Sequence, residues 1–310
     1  MKNQNLKSLL ASSLTALLLA GLITSCGKEP EKAEYVPLMK ERLQYETNLV
    51  YKAKAPQPYS NTVPPGGMPV VYQSLKHDLK GWIFKPMIEG KRPAVIYAHG
   101  GFALSKYDAE AIQPFVDAGY VVFLPAWRAE NGNPGNFEMC YGEVVDAVNA
   151  LNWLSNQDYV DSNEIYGAGN GIGATLIWLL AEVSPKLKKV AAFGANPSMF
   201  RSKKTYSDPP FNAQIPAELK LRSPGEFMKD LKCPLLLVYV SGDSEDEAYL
   251  TQAKEIVEEN EKEIKHPVEF TEMVGADHKS RPQSAITRML TFFATNVARS
   301  HATLSCRQTG

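Results

Sequence analysis

The stretch EIYGAGNGIGATLIWLLAEV, residues 164–183, decides the fold. Residues 164–168 form a short run typical of a buried strand, and residues 172–183 have the apolar spacing of a helix. Glycines lie between the two patterns and close the strand. A buried strand followed by a helix favours a mostly parallel sheet whose faces are covered by helices.

The alternation of strand and helix continues on both sides of this stretch. Buried strands are predicted at residues 94–98, 120–124, 190–193, 235–240 and 268–273, after two antiparallel strands at 70–72 and 79–84. Helices are predicted at residues 109–118, 143–154, 246–259 and 283–297. Residues 197–231 break the pattern, and we expect a small insertion over the carboxyl edge of the sheet. The prediction is an α/β fold with a mostly parallel central sheet and helices on both faces.

Composition excludes several classes of protein. The chain has 310 residues, of which 44% are hydrophobic and 22% are charged, so extensive disorder is not expected. Lysine and arginine together number 33 and aspartate and glutamate 34, for a net charge of -1. Because no basic excess exists, we predict no nucleic-acid partner.

The first 26 residues have the features of an export signal. Lys2 and Lys7 precede an apolar run at residues 9–23, which ends in Leu22-Ile23-Thr24-Ser25-Cys26. This ending resembles the lipobox of bacterial lipoproteins, which implies cleavage before Cys26 and lipidation of its thiol. An ordinary signal peptide or a poor anchor helix is the alternative. We expect a lipid-anchored protein of the bacterial cell envelope, and Gly27 favours the outer membrane.

The resulting domain organisation has four parts. We expect a signal peptide at residues 1–25, a lipidated cysteine with a tether or entry segment at residues 26–68, the α/β domain at residues 69–300 and a C-terminal tail at residues 301–310. Lipidation of Cys26 leaves Cys140, Cys233 and Cys306, an odd number, so at least one thiol has no partner within the chain. Since the spacing of cysteines and histidines is not that of a metal site, we predict neither a metal nor a cofactor.

Three short motifs follow predicted strands. His99-Gly100-Gly101-Phe102 follows the first buried strand, and its glycines let backbone N–H groups face a cleft. Gly242-Asp243-Ser244-Glu245-Asp246 supplies carboxylates after a later strand, and Gly275-Ala276-Asp277-His278 supplies a histidine after the last. Each motif taken alone is also compatible with an ordinary turn or a polar surface loop.

The order of these motifs resembles that of the α/β-hydrolase superfamily, from about residue 70 to residue 298. The run PAWRAENGNPGNFE at residues 125–138, then GEVVDA at 142–147 and YVDSNEIY at 159–166, is similar to prolyl-oligopeptidase-like and dienelactone-hydrolase-like members. The resemblance implies the α/β-hydrolase fold. It also implies a catalytic histidine at His278, an acid among Glu245 and Asp243, and an oxyanion loop at residues 99–102.

The nucleophile elbow departs from the family pattern. Where the family has Gly-His-Ser-x-Gly-Gly, this chain has Gly169-Asn170-Gly171-Ile172-Gly173-Ala174. Gly171 therefore stands at the serine position and Asn170 at the histidine position, while Ile172 follows as a binding residue beside the oxyanion loop. Glycine adopts the strained backbone of the elbow freely but offers no reactive atom.

Three hypotheses for the function follow. The first is a catalytically degenerate hydrolase domain that binds a small-molecule or peptide ligand where the strands end. The second is an active hydrolase of esters or short peptides that uses His278 and Glu245 with a water molecule or a relocated nucleophile. Candidates for that nucleophile are Ser105, Ser241 and Cys140.

The third hypothesis is a structural envelope protein. An open pocket lined by Phe102, Trp127 and Met199 would count against this hypothesis. Arg128 and Glu130 also follow a predicted strand, and we expect them to form a surface ion pair. The alternative is that they approach the rim of the ligand pocket.

Overall fold

The computed structural model describes residues 35–202, 208–274 and 281–295. The predicted signal peptide, Cys26, Cys306, the C-terminal tail and His278 all lie outside these residues. A compact unit begins at Val36. Among the residues so described, no helix is both long and apolar enough to cross a membrane.

The sheet has eight strands in the order β1-β2-β4-β3-β5-β6-β7-β8. Their bounds are β1 Gly67–Ser74, β2 His77–Phe84, β3 Arg92–Ala98, β4 Val121–Pro125, β5 Val160–Asn170, β6 Lys189–Phe193, β7 Leu235–Val240 and β8 Val268–Met273. β1 and β2 are antiparallel to each other, and β2 is antiparallel to β4. All pairs from β4 to β8 are parallel, which confirms the predicted mostly parallel sheet.

Helices cover both faces of the sheet. Their bounds are α1 Leu38–Gln44, α2 Lys106–Ala111, α3 Gln113–Asp117, α4 Gly142–Ser155, α5 Ile172–Val183, α6 Met199–Ser202, α7 Pro216–Lys220, α8 Ser244–Asn260 and α9 Arg281–Ala294, with a 3₁₀ helix at Pro224–Asp230. Ala94, Ile96 and Ala98 of β3 face a core that includes α4, α5 and α8. Val95 and Tyr97 point to the opposite core, which includes α2, α3 and α9. This alternation along one strand explains why the buried strands are apolar throughout.

The helix predicted at residues 109–118 is two short helices. Ser105 and Asp108 form a capping box, so the first helix begins at Lys106. Pro114 stands in the first turn of α3, where a missing N–H breaks no helical hydrogen bond. Inside one continuous helix the same residue would remove a backbone hydrogen bond. The prediction of a single helix was therefore wrong.

The segment before the sheet packs against the domain. Leu38 is fully buried, and its N–H donates to Asp230 Oδ2 at 2.6 Å. Farther along, Val50 N–H donates to the carbonyl of Pro210 in the insertion at 2.8 Å. From Val36 onward these contacts hold the segment against the domain, as an entry segment rather than a free tether.

Candidate active site

The turn between β5 and α5 is the centre of the candidate site. β5 ends at Asn170, α5 begins at Ile172, and Gly171 joins them with φ 55° and ψ −121°. Its N–H donates to the carbonyl of Phe193 on β6 at 2.8 Å, and its own carbonyl accepts from Ala174 N–H at 3.0 Å. Side chains rarely adopt a positive φ, so this backbone favours glycine.

The three glycines of the turn differ in the space around them. A Cβ atom on Gly169 would lie 2.5 Å from the carbonyl oxygen of Gly173, and one on Gly173 would lie 2.2 Å from the carbonyl oxygen of Ala98. By contrast, no atom of the described residues lies within 4 Å of the Cβ position of Gly171. The outer glycines are thus required by close packing, whereas Gly171 faces open space.

The loop after β3 lies against this turn. A Cβ atom on Gly100 would lie 3.1 Å from Asn170 Nδ2. Gly101 has a φ of 69°, and the next N–H, that of Phe102, donates to Oε1 of Gln57 at 2.7 Å. The predicted oxyanion loop and the elbow are therefore neighbours, and a side-chain carbonyl oxygen accepts from one N–H of the loop.

His99 anchors the loop from below. Its ring is buried, its Nε2 lies 3.0 Å from Glu130 Oε2, and it stacks on Trp127. Burial alone would lower the pKa of His99, but the carboxylate of Glu130 outweighs burial and raises the pKa to about 9. His99 is therefore charged at neutral pH, and it forms a buried ion pair.

A small cavity lies beneath the elbow. Its volume of about 20 Å³ is enough for roughly one water molecule. Glu143 lines it, accepts from the N–H groups of Glu138 and Tyr141, and has its pKa raised to about 7 by burial and by the nearby Glu138. The lining is made by His99, Gly101, Phe102, Trp127, Glu130, Phe137, Met139, Cys140, Glu143, Ile172, Gly173 and Leu176.

A second cavity of about 350 Å³ lies between the segment preceding β1 and the first strands. Val63, Val70, Trp82 and Leu104 give it mainly apolar walls, and Lys80 contributes to its rim. Because it shares no lining residue with the cavity beneath the elbow, it is a separate space.

Two buried arginines hold the turn under Ile172. Met139 and Cys140 have φ values of 52° and 65°, which β-carbon-bearing residues rarely adopt. Arg222 Nε donates to the carbonyl of Met139 at 3.0 Å, and Arg42 Nη2 donates to that of Cys140 at 3.3 Å. These contacts from the insertion and from α1 fix a strained turn directly below the elbow.

The cysteine of this turn lies close to the elbow. Cys140 Sγ is 3.8 Å from the carbonyl oxygen of Ile172, and burial raises the pKa of the thiol. Burial also raises the pKa of Cys233, to about 12. Cys140 and Cys233 are both free thiols and both buried, so they are not joined to each other.

The predicted acids lie at the start of α8, after β7. Asp243 accepts from the N–H groups of Glu245 and Asp246 and so caps the helix. Glu245 Oε1 accepts from the hydroxyl of Tyr249 at 2.7 Å, and Asp246 Oδ2 accepts from Val240 N–H at 2.8 Å. Because His278 lies outside the described residues, its pairing with either acid stays a prediction.

A comparison with protein families gives the identity of this fold. The sequence profile of the X-Pro dipeptidyl-peptidase (S15) family matches residues 28–213. The chain belongs to this family. The S15 match includes the loop at residues 99–102 and the elbow, and it ends before the acids and His278.

Individual relatives agree with the S15 assignment. The chain is 29% identical over 174 residues to the protein MT2364 of Mycobacterium tuberculosis, covering 56% of each chain. It is 24% identical over 242 residues to the peptidase YtmA of Bacillus subtilis, covering 73% of this chain and 92% of that protein. The acylaminoacyl peptidase of Pyrococcus horikoshii superposes with a TM-score of 0.59 at 19% identity, over 73% of this chain and 40% of that one.

The fold and family together identify a serine peptidase/esterase-like α/β-hydrolase, as the order of motifs predicted. The chain spans about half the length of the curated relatives it matches first, since 56% and 50% of those proteins are aligned. The likeness to the solved structure shows the fold alone.

The structure corrects one prediction about the site. Arg128 and Glu130 do not form a surface ion pair: both are buried, Arg128 binds Asp146 through Nε at 2.8 Å, and Glu130 binds His99. The surface prediction fails because charged residues are usually exposed unless they have partners, and Asp146 and His99 supply those partners in the interior. Of the three residues whose presence around an open pocket would oppose a structural role, Phe102 and Trp127 line the cavity beneath the elbow, and Met199 is buried elsewhere.

Sequence reasoning also missed two contacts. The pairing of His99 with Glu130 had a signal, because each follows one of two adjacent parallel strands, β3 and β4. The contact between Gln57 and Phe102 had none, since residues 51–61 carry no pattern that places them against a loop 45 residues away.

Proposed function

We propose that this chain is an α/β-hydrolase domain that has lost its nucleophile and binds the carbonyl group of a ligand without forming an acyl-enzyme. One observation carries the proposal. Gly171 has the backbone of an elbow residue and open space at its Cβ position, while Gly169 and Gly173 leave no room for a side chain. The turn retains the packing of an elbow but carries no side chain at its centre.

The surrounding residues support binding of a carbonyl oxygen. The N–H of Phe102 already donates to an amide oxygen, and Ile172 stands at the first position of α5, where an N–H has no acceptor within its own helix. Donors of this kind stabilise a carbonyl oxygen whether or not a nucleophile attacks it. The cavity holds only about one water molecule, so the rest of a ligand would lie outside it, above the loop.

The proposed ligand is a small ester, amide or peptide, as the family name and the carbonyl-binding loop suggest. We also propose that the domain is lipid-anchored in the cell envelope through Cys26. A test of the anchor is fractionation of a bacterial host that expresses the full chain. The native chain should sediment with membranes, and Cys26→Ser should shift it to the soluble fraction; equal fractionation would contradict the anchor.

The activity test compares p-nitrophenyl acetate hydrolysis by the native chain, Gly171→Ser and Asn170→His/Gly171→Ser. The native chain should be inert, because removing a triad nucleophile lowers turnover by about 10⁶. The serine variants should gain about 10²-fold or more over the native chain, and His278→Ala should abolish the gain. Turnover by the native chain that depends on His278 would instead support a noncovalent or relocated hydrolase.

A structural role is the second candidate, and the small size of the cavity favours it. The same experiment separates the two. If the serine variants stay inert while remaining folded, the loop, acid and histidine are not assembled as a site, and the structural role is preferred.

A further inference from the structure

Residues 51–61, here called the strap, lie beside the loop between β4 and α4 and reach the candidate site at Gln57. The carbonyl of Ala53 accepts from Phe137 N–H at 3.0 Å, and Ala55 N–H donates to the carbonyl of Ala129 at 3.3 Å. Lys54 Nζ donates to the carbonyl of Asn133 at 2.9 Å. These bonds hold residues 53–55 of the strap along the loop between β4 and α4.

Gln57 extends from the strap to the predicted oxyanion loop. Its Oε1 accepts from Phe102 N–H at 2.7 Å, although Gln57 itself is exposed. A Cβ atom on Gly101 would lie 2.5 Å from the same oxygen, so the close approach of the carboxamide requires a glycine there. Gly100, in the same loop, lies next to Asn170 of the elbow. The carboxamide of Gln57 and the elbow therefore contact the same loop.

The strap is stiff where it reaches the loop. Gln57 stands between Pro56 and Pro58, and both Ala55 and Gln57 precede a proline. Proline fixes its own φ and disfavours helical backbone in the residue before it. Less conformational freedom is therefore lost when Gln57 is held against Phe102.

The contact between Gln57 and Phe102 resembles the contact that a bound ligand would make. A carboxamide oxygen on a backbone N–H is the same acceptor that a peptide or amide carbonyl would present. We propose that the strap is an intramolecular competitor: Gln57 Oε1 occupies the N–H of Phe102 that a ligand carbonyl would use, and a ligand binds by displacing it. This inference rests on the proposed carbonyl-binding function of the site.

The expected change in ligand affinity follows from the strength of the hydrogen bond between Phe102 N–H and Gln57 Oε1. A single neutral hydrogen bond near solvent changes an equilibrium by roughly threefold to tenfold. The apparent affinity for a ligand equals the intrinsic affinity multiplied by the fraction of molecules in which the strap is displaced. Removing the carboxamide should therefore improve carbonyl binding by about threefold to tenfold.

The test uses NMR of the full-length chain, with the amide resonance of Phe102 as the reporter and acetamide as the probe. Gln57→Ala removes the competing group, and acetamide supplies the same group from solution. In Gln57→Ala, the Phe102 amide should exchange with solvent about threefold to tenfold faster than in the native chain. Acetamide should shift its resonance at a correspondingly lower concentration.

The matched control is Ser60→Ala, another exposed strap residue, whose Oγ accepts only from Thr62 N–H among the described contacts. It should behave as the native chain does in both measurements. Unchanged exchange in Gln57→Ala, or acetamide midpoints equal to those of the native chain, would overturn the proposal. Neither measurement needs catalysis. A negative result for the strap can therefore be distinguished from a failure of the serine variants to gain esterase activity.

Discussion

A Cβ atom on Gly173 would lie 2.2 Å from the carbonyl oxygen of Ala98, far closer than side chains approach backbone. Gly169 has the same constraint from Gly173 itself, at 2.5 Å. The elbow turn therefore brings α5 against β3 and β5 with no spare volume. Only Gly171, at the top of the turn, has room for a side chain.

Substitutions by alanine should separate these positions. Gly171→Ala places a side chain at φ 55°, which should cost about 1–3 kcal/mol of unfolding free energy. Gly173→Ala forces a backbone overlap and should cost more than about 4 kcal/mol or prevent folding. Urea denaturation of both variants checks the order, and equal losses would contradict the described packing.

The buried arginine below the elbow should be important for stability. Arg222 is fully buried and binds Glu218 through Nη1 at 2.5 Å, besides the backbone of the strained turn. Arg222→Met leaves the buried carboxylate of Glu218 without its cationic partner and should cost about 3–5 kcal/mol. Its control is Lys188→Met, which removes the exposed ion pair with Glu164 and should cost about 0–1 kcal/mol. Similar losses in the two urea titrations would refute the buried network.

The buried pair of His99 and Glu130 predicts a pH dependence. The folded pKa of His99 is about 9 against a reference of 6.5, so between these values the folded state binds more protons than the unfolded state. Unfolding free energy should therefore fall as pH rises from 6.5 to 9, by up to about 3 kcal/mol. His99→Gln should remove this part of the slope. An identical slope in native protein and variant would show that the pair does not form.

Cys140 should be inert in the native state. Its thiol is buried beside Ile172, and burial raises its pKa, whereas reactive cysteines are partly exposed with a lowered pKa. In a Cys26→Ser/Cys306→Ser chain, iodoacetamide should leave Cys140 unmodified until urea is added. Rapid alkylation of the folded chain at Cys140 would contradict this prediction and support Cys140 as a relocated nucleophile.

The fold was predictable because its pattern is strong and local. The run before Gly171 and the helix after it obey separate periodicities, and the α5 bounds match the prediction, Ile172–Val183. The single helix predicted at residues 109–118 failed because capping by Ser105 and a proline at position 114 act more locally than apolar spacing.

The site was only partly predictable. Motif order placed the loop at residues 99–102 beside Gly171, because adjacent parallel strands end at one edge. The burial of Arg128 and Glu130 was missed, since charged residues are usually exposed unless they have partners. Those partners, Asp146 and His99, are brought there by tertiary structure, which periodicity does not encode.

The most direct test of the central claim is labelling by an alkyl fluorophosphonate, followed by intact-mass and peptide mass spectrometry. The native chain should carry no adduct, because the elbow has no hydroxyl. Gly171→Ser should gain one adduct, on the new serine, and Gly171→Ala should stay unlabelled as its matched control. An adduct on the native chain at any residue would contradict the loss of the nucleophile.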